Sequence, residues 1–579
     1  MKVFYFVCIV LLVTGNVVGC SKTKDPDPEP EPGPGPGGPV ITPVVPVADP
    51  PLAATIGFFE QHWKPRSFTA PSYTEVTPAQ ASATVTVTID ASKIITKIPP
   101  TVWGHNANTW MTNMVGEPLF MQHIKALKPE FIRFPAGSLS DMYFWNAQPG
   151  QPPADAPSHL MDKDGVIKEA GYWYGKVNES WTASVDQYYE VLKQSGSIGV
   201  LTVNYGYARY GTSADPVAAA AHLAADWVRY DKGRTKYWEI GNETYGDWEA
   251  GFRIDLSANK DGQPEFVTGE LYAQHVQVFV DSMKKAAAEV GQEIFIGATI
   301  YDAPTEAWMT NTTKTWNEGV LKNLKSAADF YIVHNYFTPF NENSTASVVM
   351  NAGLTVPAKM MQHIKKEMQT YGAPVLPVAL TEWNMWAKDS KQQVSNVSGL
   401  FALAVMSESL VNQYGMALRW DLLNGWENGN DHGLFSDGNE PGIPKWTPRP
   451  SFYYMYYYSR LIGDRLVPAQ VTGSTAIKAY ASTYSSGEAN LTLINTSDKP
   501  VTVQLKANNL NFGKRLYYYQ LEGSNDNGEF SRKVLVNGEG PSLAAGGPTN
   551  YTQLKARSHP VYEQIKITVP ALGAVILVL

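Results

Sequence analysis

Apolar and polar residues alternate one by one through ASATVTVTIDA (Ala81–Ala91), the period-two pattern of a strand with one buried face. Beyond it the pattern changes to short apolar runs separated by longer stretches. Eight runs read as strands: TVWGH (Thr101–His105), EFIRF (Glu130–Phe134), GVLTVNY (Gly199–Tyr205), KYWEIGN (Lys236–Asn242), IFIGAT (Ile294–Thr299), FYIVH (Phe330–His334), VLPVALT (Val375–Thr381) and MALRWDL (Met416–Leu422). Stretches between them, such as PLFMQHIKALK (Pro118–Lys128), PVAAAAHLAADWVRY (Pro216–Tyr230) and LYAQHVQVFVDSMKKAAAEV (Leu271–Val290), place apolar residues at helical spacing. Strand then helix, eight times over, predicts an α/β fold of the (β/α)8 TIM-barrel type spanning 101–466 rather than an open sheet.

From about Val467 the texture changes again. AIKAYAS, ANLTLINTS, PVTVQLKA and KITVPALGAVILVL are short alternating runs with no helical period, which predicts a C-terminal all-β sandwich over 467–579. The strand near Ala81 lies in an N-terminal segment, 52–100, and is expected to join that β domain. The aromatic run Phe452–Tyr458 reads as a helix wedged between the two domains.

The N-terminus has another character. Lys2 precedes an apolar run from Val3 to Val13, and Val17, Val18, Gly19 and Cys20 resemble a lipobox, so 1–19 is expected to be a lipoprotein signal peptide and Cys20 the lipidated first residue. The run is short for a transmembrane span. Residues 20–51, rich in Pro, Gly and acidic side chains, cannot build a core and read as an extended tether. Together these predict an exported lipoprotein held by its lipid at the outer membrane. The two cysteines of the chain are Cys8 and Cys20, so the mature protein would have no internal disulfide and no thiolate metal site.

A formal net charge of -8 argues against a general basic surface for nucleic acid. The 16 Trp and 31 Tyr residues are abundant enough to supply flat faces for stacking on sugar rings as well as core. In a (β/α)8 barrel the chemistry sits at the C-terminal ends of the strands. Polar residues do end the apolar runs here: Arg133, Asn204, Asn242 with Glu243, His334 with Tyr336, and Glu382. Glu243 follows the fourth run and Glu382 the seventh. Rims of strands four and seven can face each other across the barrel mouth, and two such carboxyl groups are what retaining glycoside hydrolysis needs, one protonated and one ionised.

FIRFPAGSLSDMYFW (Phe131–Trp145), the VNYG of the third strand, YWEIGNETYG, IVHNYF and LTEWNMW, in that order, resemble clan A of the retaining glycoside hydrolases. The likeness is greatest to family 51 α-L-arabinofuranosidases, with family 44 endoglucanases and other clan A endo-glycanases next, and it covers about 101–467. The resemblance implies Glu243 as general acid/base and Glu382 as nucleophile, with Asn242 on the sugar 2-hydroxyl. It sets Arg133 beside the nucleophile, Tyr336 as a hydrogen-bond donor to Glu382 and His334 on the same wall. Glu243 should then be raised in pKa and Glu382 lowered. Trp420 and Trp426 are expected as a stacking floor. One departure concerns the substrate: family 51 enzymes usually carry a Glu shortly after the strand-one glycine and histidine, whereas this chain reads GHNANTW (Gly104–Trp110), where Asn106 or Asn108 would substitute in part.

The expected partner is a plant or algal polysaccharide or oligosaccharide, with no cofactor and no metal required. An endo-β-glycanase on the same barrel is the alternative enzyme. A non-catalytic, surface glycan-binding lipoprotein would share the anchor and the aromatic residues but has no need of the glutamate pair.

Overall fold

The structure is a computed structural model that describes residues 57–579 apart from 390, 427–430, 511 and 563. Cys20, the signal segment and the tether lie outside the described residues. Among the described residues no helix is long and apolar enough to cross a membrane.

Eight parallel strands close into a barrel: β1 (Trp103–Asn106), β2 (Phe131–Phe134), β3 (Ile198–Val203), β4 (Thr235–Ile240), β5 (Phe295–Thr299), β6 (Phe330–Tyr336), β7 (Val378–Asn384) and β8 (Met416–Arg419), with β8 pairing back to β1. All eight apolar runs of the sequence are in it. Each strand is followed by a helix: α1 (Pro118–Leu127), α2 (Val185–Ser195), α3 (Pro216–Asp231), α4 (Gly269–Glu289), α5 (Asn311–Asn323), α6 (Ala346–Tyr371), α7 (Asn396–Val411) and α8 (Pro450–Leu461). Side-chain caps start several of them, including the reciprocal Ser184–Gln187 box of α2 and Thr268, Thr310, Thr345 and Ser395 before α4 to α7. The floor is packed too closely for a side chain on β1: a Cβ at Gly104 would stand 2.5 Å from both Leu418 Cδ2 and the Phe131 carbonyl oxygen.

Two of the strands run further than their apolar cores. β6 carries on through Tyr336 and β7 through Asn384, so Glu382 lies inside a strand rather than past its end. The register explains how. Leu380 pairs with Val333 and Glu382 with His334, while on the other side Leu380 pairs with Ala417 and Trp383 with Arg419. One extra residue is therefore inserted in β7 at Thr381–Glu382, a bulge of the kind that re-aims a side chain at a barrel rim.

The companion domain is a sandwich of two sheets. The first orders Tyr73–Glu75, Ala556–Pro560, Arg515–Gly523, Gly573–Val578, Ala489–Asn495, Ile477–Thr483, Arg465–Val467 and Thr96–Lys97; the second orders Ala469–Thr472, Val85–Asp90, Val501–Asn508 and Ile565–Val569. Val87, Ile89, Leu505 and Ile567 of the second sheet meet Leu491, Leu493, Val575 and Leu577 of the first in one apolar core. Val85–Asp90 lies between Ala469–Thr472 and Val501–Asn508, so chain from before the barrel is woven into the sandwich that follows it. Helix α8 joins the two bodies: the Tyr458 hydroxyl accepts a hydrogen bond from Ser407 of α7, and the Tyr457 hydroxyl donates to the Tyr551 carbonyl of the sandwich segment.

Candidate active site

Strand ends deliver the polar side chains of the mouth: Asn106 from β1, Arg133 from β2, Glu239 from β4 with Asn242 and Glu243 just after it, His334 and Tyr336 from β6, and Thr381 and Glu382 from β7. Arg133 is the hub. Fully buried, it donates from Nε to Glu239 Oε2 (2.5 Å), from Nη1 to Asn106 Oδ1 (3.0 Å) and Glu382 Oε2 (3.2 Å), and from Nη2 to Asn242 Oδ1 (2.8 Å). Burial opposes its charge, but Glu239 and Glu382 together hold its pKa above the ordinary value.

The two glutamates have different surroundings. Glu382 Oε1 accepts from the Tyr336 hydroxyl (2.6 Å) and Oε2 from Arg133. Glu243 Oε2 accepts from the indole N–H of Trp248 (2.9 Å), and its Oε1 is 3.2 Å from His334 Nδ1. With the proton on Nδ1, His334 donates to Glu243 while Nε2 accepts from the Thr381 hydroxyl (3.1 Å). An oxygen of each glutamate and a ring nitrogen of His334 lie within 4.8 Å of one another. Three such donors can share a cation, but Arg133 already brings positive charge to Glu382 and repels a second one. Glu243 takes a φ of +39° directly after Gly241 at +74° and Asn242, a left-handed conformation uncommon in a residue with a side chain, and one that concentrates at functional sites.

The electrostatics depart from the sequence expectation at Glu382. Burial pushes its carboxyl up rather than down, the neighbouring Glu243 charge adds to that, and the His334 ring, Arg133 and the Tyr336 hydrogen bond pull the other way. Tyr336 is itself raised well above the usual phenol by burial and by Glu382, so it stays protonated and able to donate.

Other expectations need correcting as well. Arg133 lies beside Glu382, where the motif resemblance sets it. Asn106 was expected to touch substrate, but it is fully buried: its Oδ1 accepts from Arg133 and its amide N–H groups donate to the carbonyls of Thr381 and Leu418. Asn108 is equally buried. Asn242 accepts from Arg133 and donates one amide N–H to Glu249 Oε1 (2.9 Å), which leaves its second N–H for a ligand. Trp420 lies just past β8, with its backbone N–H on the Trp383 carbonyl and its ring against Gly137. Trp426 does not join it as a floor: the Arg532 guanidinium of the sandwich domain sits 4.8 Å over its ring, in a cleft with Asp389, Lys391 and Asp526.

Sequence reasoning missed Glu239, Trp248, Trp386 and Asp141. Glu239 was legible, because it stands two residues after Tyr237 on the inward face of β4. Asp141 ties three loops together, accepting the backbone N–H groups of Tyr205, Gly206 and Asn242, and burial pushes it up to about 7. Trp386 stacks on Tyr336 with ring centroids 4.5 Å apart. Trp248 comes from a loop whose path no local pattern announces.

No protein-family model matches the chain, and no curated protein matches its sequence. Solved structures do. An alpha-L-arabinofuranosidase from Thermotoga maritima, solved as an arabinose complex, is 16% identical over 86% of this chain and 99% of that one, with a TM-score of 0.57. A GH51 alpha-L-arabinofuranosidase from Thermotoga petrophila is 17% identical over 86% and 100%, TM-score 0.57. A Paenibacillus polymyxa xyloglucanase of GH family 44, solved with xyloglucan, is 12% identical over 85% and 99%, TM-score 0.53. At these identities the likeness is one of fold: the chain shares its architecture, over nearly the whole length of each, with solved members of the two glycoside hydrolase families that its motifs most resemble.

Proposed function

We propose that the protein is a retaining glycoside hydrolase that cleaves O-glycosidic bonds of a plant or algal polysaccharide by double displacement. The observation that carries this reading is the glutamate pair, with oxygens of Glu243 and Glu382 within 4.8 Å across the mouth. Retaining enzymes space their carboxyl groups by about 5 to 5.5 Å, whereas inverting ones leave about 6.5 to 9.5 Å for a water.

The partners of the two glutamates support the roles. Glu382, paired with Arg133 and fed a hydrogen bond by Tyr336, is the nucleophile: a carboxylate oxygen attacks the anomeric carbon as the bond to the leaving oxygen breaks. Glu243 gives its proton to that oxygen. In the second step Glu243 takes a proton from water as the water oxygen bonds to the anomeric carbon and Glu382 leaves as a carboxylate. The free N–H of Asn242 is placed to donate to the sugar 2-hydroxyl, a contact that strengthens as charge develops on the ring. The fold likeness to alpha-L-arabinofuranosidases supports an arabinofuranoside as substrate; the Asn106 and Asn108 side chains, buried where family 51 usually has a Glu, favour the glycanase alternative. The sequence pattern of an export signal and lipobox supports a site of action at the outer membrane, held by Cys20.

Glu382→Ala should lose at least about a thousandfold in kcat on every substrate the wild type turns over. Glu243→Ala should lose far less on an aryl glycoside with a good leaving group, and azide should restore its turnover as a glycosyl azide of retained configuration. Near-normal turnover by Glu382→Ala, or an azide product of inverted configuration, would overturn the reading.

A further inference from the structure

A row of tryptophans leaves the cleavage site on one side. Trp420, 8% exposed at the end of β8, stands with its ring over Gly137, where a Cβ would come within 2.6 Å of Trp420 Cη2. Its ring meets Trp110, from the loop after β1, at 6.3 Å between centroids. Trp110 meets Trp173 at 6.2 Å, and Trp173 meets Trp181 at 6.2 Å, both from the segment between β2 and α2. Trp110 and Trp173 are half-buried, and Trp181 is 52% exposed. The rings pack edge to face, at 66°, 60° and 76°, so each braces the next without covering it face to face.

Core packing accounts for the inner rings but not for the outermost. Trp181, half in water, and the half-buried Trp110 and Trp173 behind it leave apolar ring surface uncovered along one line beside the barrel mouth, and such surface beside a cleft suits a ligand. The direction of the row is set by topology. In a closed ring of eight strands β8 is diametrically opposite β4, which carries the proton donor Glu243. The leaving group must lie on the Glu243 side, where Trp248, 59% exposed, already bonds that carboxylate. The row on β8, β1 and β2 is therefore on the other side of the scissile bond.

We propose that Trp110, Trp173 and Trp181 extend the cleft into sugar-stacking subsites on the glycon side, so that the enzyme grips a polysaccharide within its length and releases oligosaccharides rather than single sugars. The proposal rests on the hydrolase reading above and deepens it, from a glycosidase to an endo-acting one. A flat apolar C–H face on each sugar is the chemistry the rings recognise.

The test uses the full-length protein with arabinan, β-glucan and β-galactan as probes. Wild type is expected to release products of two or more sugars first from whichever polymer it cuts. Trp181→Ala and Trp173→Ala should raise the KM for that polymer roughly tenfold, and by much more than for a short aryl glycoside, whereas Trp181→Tyr should recover most of the loss. Affinity electrophoresis in a Glu382→Gln background reads binding without turnover, and there too the Ala variants should migrate faster through polymer-containing gel. Monosaccharide as the earliest product, or polymer KM and mobility unmoved in both Ala variants, would overturn the row of subsites while leaving the glutamate mechanism standing. Turnover persisting in Glu382→Ala would instead overturn the mechanism while the binding arm still reports on the row.

Discussion

At the N-terminal end of the barrel, Phe59 closes a dry plug made of Phe131, Val200, Tyr237, Phe330, Ile332, Ala379, Met416 and Leu418. Its ring stacks on Tyr237 at 5.6 Å and meets Phe330 edge-on at 5.9 Å. Two residues further along three of the same strands stand Arg133, Glu239 and His334, the polar lining of the mouth. A step of two keeps a strand residue on the same face, so both sets point into the barrel. The strands thus divide labour by height: the lower layer stabilises by burying apolar surface, and the upper one buries charge at a cost that only mutual pairing offsets.

The sharpest way to break that contrast is to remove one member from each layer. Arg133→Met leaves Glu239 and Glu382 buried without their cation and should cost about 3 to 5 kcal/mol of unfolding free energy by chemical denaturation. The variant should also lose activity as Glu382 is driven toward its protonated form. Phe59→Ala is expected to cost a similar 3 to 5 kcal/mol through the cavity it opens. Its kcat/KM per folded molecule should nevertheless match the wild type, because Phe59 packs on Tyr237 and Phe330 in the lower layer. Equal activity losses in the two variants would mean that the layers are not separable.

A smaller effect should appear in the pH profile. Burial and Glu243 raise the Glu382 carboxyl, and the reaction requires it ionised, so the rate of glycosyl-enzyme formation should fall as pH drops through a value above the usual carboxylate range. With an activated aryl glycoside that needs no protonation, Tyr336→Phe removes the hydrogen bond that favours the ionised Glu382 and should move this acidic limb to higher pH. A limb that stays put, or moves downward, would show that the Tyr336 hydrogen bond does not hold the carboxylate ionised.

The smallest expected effect concerns stability. Asp302, buried just past β5 and hydrogen-bonded by Asn335, is pushed up to about 6 by burial. Its folded pKa exceeds its unfolded one, so the folded state holds a proton that the unfolded chain releases. Stability is therefore full below the unfolded value and is lost as pH rises through about 6. Asp302→Asn should melt like the wild type at pH 4 and above it at pH 8. A difference of the opposite sign would place the carboxylate in an environment that favours its charge.

These contrasts also show what was readable in advance. The strands around the apolar plug were legible, because Phe131, Tyr237 and Phe330 sit in short apolar runs of strand length. Glu243 and Glu382 were legible by position and by resemblance. The reach of Asn106 was not: its placement in GHNANTW pointed to a substrate contact, but closure of β8 onto β1 turns it toward the Leu418 and Thr381 carbonyls. The raised carboxyl of Glu382 was also out of reach, since a nearby arginine is visible in a motif and the depth of burial is not.

The sequence by itself determined the order and type of the elements and the change of texture from barrel to sandwich. Those follow from local backbone geometry, which imposes a period of 2 on strands and about 3.6 on helices. Only the tertiary structure decided which side chains converge. The extra residue in β7 that puts Thr381 against His334 and Glu382 against Arg133, the sharing of Arg133 among four partners, and the line of tryptophans from three separate loops each depend on how distant strands register when the barrel closes. Register across a closed sheet is a long-range property, and no window along the chain contains it.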